Sequence, residues 1–93
     1  MKNLNYQLKQ LCRNHRDGSY GTQIGRSRIL VLIANQLNGL GYRSMKARSL
    51  KPKHVIALTR LWSRQQISVG TQKNRLSALR WWAQKIRKQN LSL

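Results

Sequence analysis

Hydrophobic residues recur along this chain at helical spacing in four stretches. The alternation a half-buried strand needs never lasts more than a few residues. In the first stretch Leu4, Leu8, Leu11, Cys12 and His15 fall at i, i+4, i+7, i+8 and i+11, one stripe of a helix over about 4–15. Asp17-Gly18-Ser19 then reads as a turn. A second helix is expected over about 22–38, with Ile29, Leu30, Ile33 and Leu37 turned inward and Leu40 just past its end. Gly39 or Gly41 supplies its left-handed stop. Pro52 suits the first position of a third helix over about 52–66, whose shared face is Val55, Leu58, Leu61, Trp62 and Gln65. Ser68 is placed to cap a fourth helix, over about 69–88, through the amide of Gly70 or Thr71. The inward stripe of that helix is Val69, Leu76, Leu79, Trp82, Ala83 and Ile86. Between the second and third helices, Tyr42 to Lys51 reads as a basic connector. The pattern predicts an all-α bundle of four main helices. Its core draws on Leu, Ile, Val and Trp, because Phe is absent.

Composition narrows what such a bundle can do. At 93 residues the chain has room for one core, and with 40% apolar residues it is more than a disordered basic tail. Its charge is almost all of one sign: 19 Lys and Arg stand against one acid, Asp17, for a net +18. One carboxylate cannot form the acid/base pair of a hydrolase, nor an oxygen cage for calcium or magnesium. One cysteine, Cys12, forms no intramolecular disulfide and no zinc-finger spacing, and it fits a reducing cytosol. The longest apolar run, Ile29 to Ala34, is far below the ~20 residues of a membrane span, and the N-terminus lacks the apolar segment of a signal peptide. No metal and no cofactor is called for. The charge points to a polyanion, with nucleic acid ahead of an anionic membrane surface.

Two helix faces carry the chemistry expected of such a partner. On the fourth helix Lys73, Ser77, Arg80, Gln84 and Arg87 form a stripe beside the core face, and Thr71, Gln72 and Asn74 lie near its start. Arg can bridge the acceptors of guanine and Gln those of adenine, and free amides at a helix start suit phosphate. A row of this kind is ordinarily a solvated face, but a solvated face normally carries both signs. The second helix offers Arg26, Ser27 and Arg28 close to its start, where cations oppose the macrodipole unless an anion sits there. Lys46, Arg48, Lys51 and Lys53 make a third patch, read as backbone contacts or solubility charges. His15 and His54 read as structural histidines, and Cys12 as a buried structural thiol without an activating base. Trp62 and Trp82 read as core. Trp81 points away from the core stripe, either to pack on the first helix or a loop, or to form a partner surface.

The runs RDGSYGTQIGRSR, LGYR, LKPKHV and SVGTQKNRLSALRWWAQKI resemble the N-terminal domain of phage-type integrases, a branch of the tyrosine recombinases. The resemblance covers about Leu4 to Lys88, and KHV together with GT-x-KNR-x-x-x-LRWWA is its most specific part. It implies a SAM-like core-binding domain of four helices that forms half of a clamp on the recombination-site duplex, with the second and fourth helices near the major groove. Carried onto this chain, the implied contacts are Arg26, Ser27, Arg28, Thr71, Gln72, Lys73, Asn74, Ser77 and Arg80. The implied partners are double-stranded DNA, a catalytic domain and neighbouring recombinase protomers. The implied setting is a bacterial or phage-encoded protein of the cytoplasm, associated with the nucleoid. The family's catalytic set needs a nucleophilic tyrosine with Arg, Lys and His-x-x-Arg, and neither His15 nor His54 has Arg three positions on. No catalysis is therefore expected of these 93 residues, which look like an excised domain or a truncated reading frame. The isolated domain is expected to be monomeric. Two other classes remain open: a small ribosome-associated RNA-binding protein, and a membrane-active peptide, which would need apolar faces without a shared core.

Overall fold

A computed structural model describes residues 3–86. Among them are four α-helices and one 3-10 turn: α1 (Asn3–Asn14), α2 (Tyr20–Gly39), η1 (Ala47–Ser49), α3 (Pro52–Arg64) and α4 (Val69–Lys85). The central element is α2, which packs against α1, α3 and α4. Its residues Leu30, Ile33, Ala34 and Leu37 are fully buried, as are Leu58, Leu79, Trp62 and Trp82 opposite them.

Both buried indoles find hydrogen-bond acceptors, which removes the penalty of sinking an N–H into an apolar core. Trp62 Nε1 donates to Gln36 Oε1 at 2.8 Å, and Trp82 Nε1 donates to the Ala47 carbonyl at 2.8 Å. The Ala47 amide in turn donates to Gln7 Oε1 at 2.6 Å. One peptide position of η1 is thereby held by α1 on one side and α4 on the other. The connector read as basic thus contributes Met45, Ala47 and Leu50 to the core.

The corners follow from local chemistry. Ser19 caps α2 by accepting from the Thr22 amide at 3.2 Å, so the helix begins two residues before the expected start. Ser68 caps α4 through the Thr71 amide at 3.3 Å. Pro52 opens α3, and the buried His54 accepts from the Lys51 amide through Nδ1 at 2.9 Å while packing edge-on against Tyr42. That is the structural histidine the sequence called for. At the end of α2 the Tyr42 amide donates to the Leu37 carbonyl and the Gly41 amide to Asn38, around Gly41 at φ +103. The end of α3 repeats this pattern: the Ile67 amide donates to Trp62 and the Gln66 amide to Ser63, with Gln66 at φ +57. Both are Schellman stops.

Three expectations need correction. Val69 is 70% exposed because it is the first residue of α4, in a turn exposed from Ser68 to Thr71. Gln65 is the exposed C-cap of α3 and shares no buried face. Cys12 is half-buried on α1. Arg87 and Lys88, expected within the fourth helix, lie outside the described residues, as does the tail Asn90–Leu93.

Gln66 carries a left-handed backbone that a side chain disfavours by about 1–2 kcal/mol. Gln66→Gly is therefore expected to stabilise the fold by about 0.5–1 kcal/mol, after the entropy the glycine adds to the unfolded chain. Chemical denaturation checks this. An unchanged or lower stability would mean that the Gln66 side chain contributes contacts that offset its strain.

Candidate nucleic-acid interface

The segment between α1 and α2 wraps the start of α2 through hydrogen bonds to its own carbonyls. Gln23 Nε2 donates to the Gly18 carbonyl at 3.0 Å, and Arg26 Nη1 donates to the Asp17 carbonyl at 3.1 Å. Gly18 takes φ +85, and a Cβ there would press on the Thr22 side chain at 3.1 Å. The Asp17 carboxylate points the other way, to α4. It accepts from Trp81 Nε1 at 3.0 Å and pairs with Lys85 Nζ at 2.6 Å. Arg26 stacks on the same indole, its Cζ 4.5 Å from the ring centroid, and His15 meets the indole edge at 6.4 Å. Trp81 is thus 8% exposed beneath a loop and the end of α1. Of its two sequence readings, packing holds and an exposed partner surface does not.

This clasp sets the geometry of a groove between α2 and α4. Thr22, Gly25, Arg26 and Ile29 line one wall, and Asn74, Ser77, Ala78 and Trp81 the other. The floor is apolar, and polar side chains sit at the rim. Arg28 on α2 and Lys73 and Arg80 on α4 are exposed. Of the expected contact residues, the fold therefore joins Arg26, Asn74 and Ser77 in one groove. Thr71 is exposed at the capped start of α4. Gln72 is half-buried, and its amide donates to the Ile67 carbonyl at 2.8 Å.

Other expected contacts lie apart from the groove. Ser27 is half-buried. Burial pushes the Cys12 thiol up, against the opposing pull of Arg26 and Ser27, so it stays protonated at neutral pH. Lys46 and Arg48 border a cleft with Tyr6, Gln10 and His15. Lys51 and Lys53 border a separate depression with Tyr42 and His54. The third patch is thus two surfaces. Because α2 starts at Tyr20, Arg26 and Arg28 also lie beyond its first turn, where the macrodipole no longer acts strongly. The cost expected there from cations at a helix start does not arise.

Gly25 was not singled out by the sequence, Ile29 was read as core, and Asp17 was read only as a turn residue and the one acid. Asp17 had a signal of its own, as the one acid in the chain. The groove had none, since it forms where two helices cross.

The Lys85 ammonium and the Trp81 N–H, helped by Arg26, hold the Asp17 carboxyl below its ordinary value of 3.8. A depressed carboxylate contributes stability that is fully present above its ordinary value and is lost as pH falls through the lower folded value. The Trp81 indole N–H resonance is therefore expected to stay put on acidification to about pH 4 and to move only below it. Asp17→Asn keeps an acceptor for the indole and is expected to abolish that acid transition. An acid transition that persists in Asp17→Asn would assign it to another group.

A family model for the N-terminal domain of phage integrases matches residues 1–91. No curated protein and no solved structure matches the chain.

Proposed function

The chain belongs to the phage integrase N-terminal domain family, all-α and SAM-like, and we propose that its α2–α4 face binds duplex DNA in site-specific recombination. One observation carries this reading. Arg28 on α2 and Lys73 and Arg80 on α4 stand exposed on the two helices that wall a groove rimmed by Asn74 and Ser77, while the single acid of the chain is turned to Lys85 and Trp81. That carboxylate is paired with the Lys85 ammonium. Phosphate contacts supply most of the affinity and fix the orientation, and the polar side chains Asn74, Ser77 and Arg80 are candidates for the remaining contacts. Lys46, Arg48, Lys51 and Lys53 add backbone contacts beside it.

The strand-transfer chemistry belongs to the catalytic domain of the recombinase, to which this domain contributes grip and position. As half of a clamp it binds weakly alone, and linkage to the other half raises the effective concentration of both. RNA is the weaker reading. Trp62 and Trp82 are fully buried and Trp81 nearly so, which leaves only Tyr6 and Tyr20 as exposed rings on which an unpaired base can stack. Among the described residues no helix is long and apolar enough to cross a membrane.

Titration of labelled protein with a short duplex, a matched RNA hairpin and anionic vesicles at two salt concentrations tests the proposal. Shifts are expected with the duplex, centred on Arg26–Arg28 and Thr71–Arg80. With about six to eight phosphates neutralised, log affinity falls against log salt with a slope of roughly −5 to −7. Lys73→Ala is expected to weaken binding evenly across sequences and flatten the slope by about one. A salt-independent affinity, or stronger shifts with RNA around Arg43–Lys51, would overturn the duplex reading.

A further inference from the structure

We infer that the α2–α4 groove is a slot for the C5-methyl group of a pyrimidine presented in the DNA major groove. This rests on the duplex reading above. The residue that opens the groove is Gly25. A glycine inside a helix destabilises it relative to alanine, and helix interiors avoid it unless something needs the space. At Gly25 nothing inside the protein does: a Cβ built there meets no atom within 4 Å. The backbone is ordinary helix, with no positive φ to demand glycine. The absent side chain leaves open one wall of the groove whose floor is Ile29, Ala78 and Trp81.

The chemistry of that opening is apolar inside and polar outside. Asn74 and Ser77 stand at the rim, and the two helices that flank it carry the exposed cations Arg28, Lys73 and Arg80. A polyanion is the complement of the flank, and the slot asks for a small apolar group carried on it. In the major groove one base offers such a group, the C5-methyl of thymine, and alanine and the methyl of threonine are common partners for it. Ala78 and Thr22 are both in the lining. Arg26 lines one side of the slot, held against the Trp81 ring and bonded to the Asp17 carbonyl. The Asp17 clasp therefore fixes where Arg26 sits along the slot as well as holding the loop.

The test compares the affinity of the protein for a dA·dT duplex with that for a dA·dU duplex of equal length, which lacks only the methyl groups. A second arm compares a dG·dC duplex with one carrying 5-methyl-dC, which adds a methyl at the same place. The methylated member of each pair is expected to bind about fourfold tighter, the ratio that one buried methyl is worth. Gly25→Ala fills the slot from within. It is expected to raise the melting temperature by about 4–8 °C, as removing a helix-interior glycine should in a chain of this size, while bringing both affinity ratios to about one. A more stable protein that no longer distinguishes the methyl cannot be explained by damage to the fold. Duplex binding that ignores the methyl in both arms, or that distinguishes it equally well in Gly25→Ala, would overturn this inference and leave the duplex reading standing. Failure to bind any duplex at low salt would overturn both.

Discussion

A net charge of +18 with one acid means that this fold must close against its own repulsion, almost without ion pairs. What closes it is neutral. Buried apolar side chains of α2, α3 and α4 do most of the work, and two fully buried indoles find acceptors on Gln36 and on Ala47. The Ala47 peptide is where this matters most. It gives its amide to α1 and its carbonyl to α4, so a 3-10 turn of three residues ties the first helix to the last. The single acid is then free for the one place where charge is useful, the seam between the α1–α2 loop and α4.

That seam and the proposed interface are one piece of structure. The Asp17 carboxylate fixes Trp81 and Lys85, and the Asp17 carbonyl fixes Arg26, so the loop determines how two helices present their polar rims. Rigid placement of this kind limits the entropy lost when the face meets a partner. Side chains outside the seam are less constrained, and Lys73 and Arg28 suit phosphate, which demands charge more than register.

The helices were legible in the sequence because their apolar positions repeat at 3.6 residues and their ends carry strong signals. Pro52, Ser68 and Gly41 each do what their chemistry prescribes, whereas Ser19, read as part of a turn, is the cap of α2. The stop at Gln66 was not legible, since a glutamine in the left-handed region has no compositional mark. The burial of Met45, Ala47 and Leu50 was hidden as well, because three apolar residues among cations are too few to show a period. Of the candidate site, the exposed cations of α4 could be read from helical spacing alone. The groove could not be read, because its two walls lie some fifty residues apart in sequence. Trp81 shows the same limit: its direction on the helix was clear, but the loop that covers it comes from the other end of the chain.

The exposed apolar residues have a consequence of another kind. Tyr20, Val69 and Ile56 stand open to water, a pattern that invites self-association in a neutral protein. Here each copy repels every other, so adhesion between bare copies is suppressed at low ionic strength and strengthens as salt screens the charge. A polyanion lifts the same barrier locally. Copies bound side by side on one strand of charge would be held at spacings set by the polyanion. Assembly would then be governed by the template rather than by the free concentration of the protein.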